Sequence, residues 1–571
     1  MKKYIFATLL ILCCVGLFFF LKSDRIKTVQ AADVLPADVM VYAEQHEFVK
    51  IYQEFAGSRL GRVLSRIDYV DITTQLGGDK KIATDALSLW QEIDTLINEP
   101  GFDQLLGKEF SLALFPMPGL SLEDPLKNLE ERLLLIARPR HNAKVLQFLA
   151  SYITKDIEQS TVQYGIHTIT RYKIDEQYTL STATVAGLVL AAVDERLVRK
   201  SLSTFDDQTS TLAQSIRFKQ LRKSFEGATL FKYFSFEPLR EQATIIAKKL
   251  QKDDQQQILE LLEQWNGWEA GAYGAWNQKG LIKEKLEILY DATQLDPKVA
   301  KLFVTDPEKN NTLNMVPADS LFYYWTNGLN LPLLFDMYSD LLVQQQPEML
   351  DLLQQELRDT VGMGLEEILA LAGNECGIIV EEVEGEGVPL PKVLTMVELQ
   401  DTDTFMQVFR RLLEEADIPI NTSSYQDHEI SYWGIAPQDG LQPAFALSGK
   451  YLLLSNSRNL VKQVIDLQNN PDKTLTNNLD LKELKSELIK ENNSTAYVHI
   501  ALMADAFKTL ATWAGGLAVL QGPETANKVN LLIEELVLPL LDGVAMYTQL
   551  SSRTEVKEGR IVMESSVLVI D

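Results

Sequence analysis

Cysteine is almost missing from this chain. Only Cys13, Cys14 and Cys376 occur, and the first two sit inside an apolar N-terminal run, so the body carries a single thiol. One thiol excludes an intramolecular disulfide framework and a cysteine-rich zinc site. Histidine is equally scarce: His46, His141, His167, His428 and His499 are scattered, without the pairing on a helix or the Cys/His spacing that a metal needs. There is no Gly-x-Ser-x-Gly elbow, no phosphate loop ending in Gly-Lys-Ser/Thr and no His-Glu-x-x-His. Gly385-Glu386-Gly387 begins like a dinucleotide fingerprint, but its third glycine is absent and Pro389 falls where a helix should start, so a hairpin turn is expected. No catalytic, cofactor-binding or metal-binding residue is assigned, no cofactor is expected, and a non-enzymatic protein is the leading expectation.

Positive charge is the second shortage. Lys and Arg number 54 against 79 Asp and Glu, for a formal net charge of −25. The first 27 residues hold five basic residues against Asp24, which leaves the remainder near −29. Such a body repels phosphate backbones, which excludes nucleic-acid binding as a main role. With 46% hydrophobic and 23% charged residues over 571 positions, the chain is a folded protein long enough for two or more domains.

One long hydrophobic run is present. No charge occurs from Tyr4 to Leu21, and 18 helical residues span roughly 27 Å, close to a bilayer's apolar thickness. A transmembrane signal anchor at about 4–21 within residues 1–27 is expected; cleavage after Val29-Gln30-Ala31 is the alternative, against which stands the charged stretch Lys22 to Lys27. The basic residues flanking the run are nearly balanced, and the large following body points to translocation. The expected location is the bacterial inner membrane, single-pass, with an extracytoplasmic, periplasmic body.

The body repeats itself. Leu35-Pro36-Ala37-Asp38-Val39-Met40-Val41-Tyr42 recurs as Val316-Pro317-Ala318-Asp319-Ser320-Leu321-Phe322-Tyr323. Further matches follow in order: Glu109 to Leu114 with Glu375 to Val380, Tyr164 to Thr170 with Tyr425 to Ser431, Gly187 to Leu190 with Gly449 to Leu452, and Thr229 to Tyr233 with Thr495 to His499. Their separations stay within about 260 to 281 positions, as loop insertions would make them drift. The expected division is a first repeat unit at 33–292, a linker at 293–314 and a second unit at 315–571. The expected class is α+β: two tandem diverged copies of a mainly antiparallel sheet covered on one face by helices, preceded by one transmembrane helix.

The Leu35-Pro36-Ala37-Asp38 entry, with a helix ending Ser58-Arg59-Leu60-Gly61, resembles an uncharacterised bacterial family of exported or membrane-anchored proteins, the domain of unknown function 3352. That resemblance implies an extracytoplasmic setting and carries over no catalytic residues. The second copy departs at the helix end, with Asp340-Leu341-Leu342-Val343.

The repeat also filters candidate sites. The acidic run Glu381 to Glu386 lacks the alternation of a calcium loop, and Asp401-Thr402-Asp403, opposite His141-Asn142-Ala143 in the first copy, reads as a helix cap. Only His167 and His428 occupy matching positions in both copies. Trp265, Trp268, Phe231 and Tyr233 outline an expected apolar groove under the helical stretch that starts near Pro238. The resulting expectation is a membrane-anchored cell-envelope protein whose duplicated units bind a partner protein or a lipophilic ligand. The alternative is a hydrolase-like envelope enzyme with a site at the junction of the two units.

Overall fold

The computed structural model describes residues 29–116, 129–140, 158–174, 176, 178–207, 210–250, 252–278, 280–345, 347–381, 389–417, 419–434, 438–477, 484 and 488–570. The chain forms two compact units, one ending at Gln278 but also holding Glu284–Leu295, the other made of Lys279–Lys283 and everything from Asp296.

In the first unit, antiparallel pairing runs outward from β1 (Val41–His46) on both sides. On one side come β2 (Glu109–Leu114), β3 (Leu133–Arg138), β7 (Leu188–Ala192), β6 (Thr179–Val185), β5 (His167–Lys173) and β4 (Glu158–Tyr164); on the other come β8 (Leu230–Ser235), β9 (Trp268–Gln278) and β10 (Leu281–Tyr290). The second unit runs the same course from β11 (Phe322–Thr326). One side holds β12 (Ala372–Glu381), β13 (Lys392–Leu399), β17 (Tyr451–Ser455), β16 (Ala444–Ser448), β15 (His428–Tyr432) and β14 (Asn421–Tyr425); the other holds β18 (Ser494–Val498), β19 (Tyr547–Lys557) and β20 (Arg560–Val569). Each strand of the first unit thus has a counterpart ten places on.

Alternation along the strands explains the layers. In β7, Leu188, Leu190 and Ala192 join a core with Leu197, Val198 and Leu202 of the helix Glu195–Asp207, and with Phe218 and Leu221 of the helix Ile216–Ser224. Val189, between them, belongs to a core on the opposite face with Leu96, Ile97 and Phe102 from the helices Lys80–Ile97 and Pro100–Leu106. All five residues of β7 are buried, as in a strand covered on both faces. The second unit repeats this: Leu453 packs with Leu460, Val461 and Val464 of the helix Arg458–Leu467, while Leu452 packs with Phe405 and Phe409 of the helix Thr402–Glu415.

Three expectations need correction. Helices cover both faces of each unit's strands, because the inner strands are apolar on both sides. The twenty strands among the described residues belong to one sheet rather than two, and β10 contributes its first residues to the second unit and the rest to the first. Among the described residues no helix is long and apolar enough to cross a membrane, so none of them supplies the span that the expected single-pass inner-membrane placement requires; the longest, Ile500–Ala518, carries Asp505 and Lys508. The run at 4–21, like Glu382 to Gly387 and His141, lies outside the described residues.

Candidate functional site: an aromatic face on the first unit

The parity of β8 divides the four residues of the expected groove. Phe231 and Tyr233 point into the core of the first unit, at 0% and 2% exposure, where Phe231 meets Phe225 and Phe218 at ring-centroid distances of 5.5 and 5.9 Å. Phe234, on the other side of β8, leads to a different set. Its ring lies 5.3 Å from that of Phe236, which lies 6.2 Å from Trp265 and 6.1 Å from Trp268; Trp268 continues to Tyr290 at 6.0 Å. The structure therefore brings Trp265 and Trp268 together through Phe236 and sets them apart from Phe231 and Tyr233.

Backbone and sequence explain why the rings gather there. Phe234 pairs with Gly271 across β8 and β9, and a Cβ at position 271 would overlap the Phe234 ring, so the glycine makes room for it. Phe236 opens the helix Phe236–Ala247, and the two tryptophans bracket the turn into β9, where Gly267 takes a φ of 83°. Phe234, Phe236, Trp265 and Trp268 are half-buried, and they belong to none of the four apolar cores. Polar groups edge this face: Arg217 bonds Glu269 at 2.9 Å and Arg240 bonds Asn266 at 2.6 Å. Rings packed edge-to-face or tilted, and still partly exposed, give a platform for apolar or ring-bearing groups.

The histidine pair occupies matching register positions, each closing a hairpin opposite a tyrosine: Tyr164 with His167 and Tyr425 with His428. Their contacts differ. His167 Nε2 lies 2.9 Å from Asp206 Oδ1, whereas His428 Nδ1 lies 2.8 Å from the carbonyl oxygen of Gln426. Different partners at the same turn argue for local roles. Asp401 accepts from the Thr404 N–H at 3.0 Å and caps its helix. Among the described residues no group of three or more His, Cys, Asp and Glu is placed to hold a metal.

A buried ionic set escaped the sequence reading. Tyr42, Glu44 and His46 share one side of β1, and Glu44 accepts from the Tyr42 hydroxyl at 2.7 Å, from His46 Nε2 at 2.6 Å and from Arg222 Nη2 at 2.7 Å. Burial raises the Glu44 pKa, but the His46 hydrogen bond, the Arg222 charge and the Tyr42 hydroxyl outweigh it and hold the carboxyl at about 2. The bond to Glu44 in turn raises His46, against its partial burial. The second unit lacks this set: at the same register stands Trp325, opposite Gly377 where the first unit has Ser111. Tyr42 and Ser111 are completely buried and the Glu44 side chain nearly so, while His46 reaches the surface, so the set ties β1 to β2 and to the helix Ile216–Ser224.

With this geometry in place, the chain belongs to the family described as protein of unknown function DUF3352, whose model matches residues 104–387 and 383–530. The double match agrees with a two-part repeat. It starts after Leu35 to Asp38, so neither the Leu-Pro-Ala-Asp entry nor an exported setting follows from it. No curated protein matches the chain. Among solved structures, crystal forms III, IV and I of TP0453 are similar at 11%, 10% and 9% identity, covering 48%, 46% and 48% of this chain and 84%, 81% and 82% of theirs. Their TM-scores of 0.24, 0.23 and 0.23 carry no argument about fold or function.

Proposed function

We propose that this chain is a non-enzymatic binding protein that takes a lipophilic ligand on the aromatic face of its first unit. The observation that carries the reading is the partly exposed ring cluster of Phe234, Phe236, Trp265 and Trp268, outside the apolar cores of the described residues. Large aromatic side chains are ordinarily buried in a core or paired with a partner, and a contiguous half-open group of them favours an apolar occupant. The acidic character of the chain favours a neutral ligand over an anionic one. A hydrolytic reading gains no support from Tyr42, Glu44 and His46, because the tyrosine and the carboxylate are buried.

The test is titration of the full chain with N-phenyl-1-naphthylamine, a neutral apolar dye. Saturable fluorescence enhancement is expected, weakened about tenfold or more in the Trp265→Ala/Trp268→Ala double variant, at about 1.4 kcal/mol or more of lost contact. The exposed Trp90→Ala serves as control and keeps wild-type binding. Unchanged dye affinity in the double variant, or no saturable binding by the wild type, rejects the site.

A further inference from the structure

The helix Ile500–Ala518 of the second unit is packed the wrong way round. Its only fully buried residues are small ones: Ala504 and Ala518 are 3% and 7% exposed, and Gly515 sits so close to Asn530 and Ile533 of the neighbouring helical segment that a Cβ there would collide with the Asn530 side chain. Leu502, Met503 and Leu510 are half-buried, but toward the C-terminal end large apolar residues face outward, with Trp513 at 39%, Leu517 at 42% and Leu520, just beyond the helix end, at 83% exposure. A helix with a single apolar face buries its large residues first. Exposing Trp513 and Leu517 while burying Gly515 and Ala518 means that the C-terminal half of this helix has two apolar faces and that the second unit covers only one.

The outward face has a regular spacing. Thr509, Trp513, Gly516 and Leu520 follow one another at intervals of four, three and four, the seam spacing of paired helices, with Leu517 beside them. Gly516 has nothing within 4 Å of a would-be Cβ, so the stripe carries an open recess between two bulky side chains. From Thr509 to Gly522 there is no Asp, Glu, Lys or Arg.

We infer that this stripe is the contact surface for a second copy of the same chain. Two features select that occupant. The stripe holds both knob and recess, so two identical stripes related by a twofold axis can each seat the other's bulky residue, which is the closed arrangement for like surfaces. The chain's net charge of −25 makes two copies repel over most of their surface, and the charge-free stretch is where that repulsion is least. Flanking charges are what direct a helix to a different partner, and this stretch has none. One short stripe buries less than the roughly 1,200 Å² of a standard stable interface, so the dimer is weak, with a midpoint on the order of tens of micromolar.

Sedimentation velocity of the full chain across that concentration range should show reversible dimerisation, weakened about tenfold or more in Leu517→Glu/Leu520→Glu with an unchanged melting curve, because both leucines are exposed. In a chain with Cys13, Cys14 and Cys376 replaced by serine, Leu520→Cys should cross-link under mild oxidation, and Lys528→Cys, on the next helix, should not. A wild type that stays monomeric throughout, or Leu520→Cys cross-linking no better than Lys528→Cys, overturns the inference. So does a monomeric chain in which a polarity-sensitive dye on Leu520→Cys brightens with phosphatidylcholine vesicles, since lipid would then be the occupant.

Discussion

Replacing Glu44 by glutamine asks whether the charge inside the first unit stabilises it. The side chain of Glu44 is 7% exposed and accepts hydrogen bonds from Tyr42, His46 and Arg222. Desolvation alone would push its pKa up, yet the three partners hold it at about 2 against an ordinary 4.5. At about 1.4 kcal/mol per tenfold change in proton affinity, that difference corresponds to on the order of 3 kcal/mol of folding free energy tied to the ionised form. The folded pKa is depressed, so this contribution is fully present above about 4.5 and is lost as the pH falls toward 2. Glutamine keeps the shape and gives up the charge. Glu44→Gln is therefore expected to lose on the order of 3 kcal/mol at pH 7, and the gap to the wild type should narrow below pH 4.5. The two units need not unfold together, so hydrogen exchange of the β1, β2 and β8 amides reports the first unit more cleanly than a global melt. Protection free energies within about 0.5 kcal/mol of wild type at pH 7, the ordinary scatter of a surface change, would refute the reasoning. So would a gap that stays constant from pH 7 to pH 3.

Three further outcomes are expected. His46 should titrate above 6.5 by imidazole NMR and fall back in Glu44→Gln; its contribution is full below 6.5 and is lost as the pH rises through the raised folded value, so a midpoint unaffected by the Glu44 change contradicts the pairing. Trp325 is wholly buried with its indole N–H unpartnered, so Trp325→Phe should cost less than about 1.5 kcal/mol in urea unfolding, whereas Trp325→Ala should cost about 3–5 kcal/mol. Gly271→Ala should displace the Phe234 ring, destabilise the first unit by about 1–3 kcal/mol and weaken dye binding; an unaltered tryptophan emission spectrum would show that the ring has room to move.

The two copies differ most where their chemistry is most specific. In the first unit Glu44 stands opposite Ser111, and in the second Trp325 stands opposite Gly377, whose missing side chain leaves space that a Cβ would take from Met396 at 2.7 Å. A charged, hydrogen-bonded core centre and an apolar, space-filling one are alternative solutions at one register position. Neither can be half adopted, because a buried carboxylate without Arg222 and His46 is costly and an indole above Ser111 would clash or strand the hydroxyl. What the duplication preserves is the strand course, and both proposed surfaces lie on features that it does not: the aromatic face in the first unit and the uncharged helix stripe in the second.

That divergence also explains what could be foreseen from residues alone. The matched hairpins were legible, since Tyr164 with His167 and Tyr425 with His428 fall at the same register. The second helical layer was legible in principle from the unbroken apolar run Leu188 to Ala192, which marks burial on both faces, but a strand-rich stretch with short loops favoured one covered face. The groove grouped Phe231 and Tyr233 with the tryptophans although period-two alternation separates odd from even positions along β8, and the odd ones turn to the core. Glu44 has Tyr42 and His46 two residues to either side, but the partner that balances its charge, Arg222, lies 178 positions away on a helix and meets it only in the folded unit. The stripe at Trp513 was hidden for a different reason. From Thr509 onward the helix carries no charge on any side, so periodicity cannot say which face the fold will cover, and close packing against Asn530 and Ile533 takes the face of Gly515 and leaves Trp513 and Leu517 exposed.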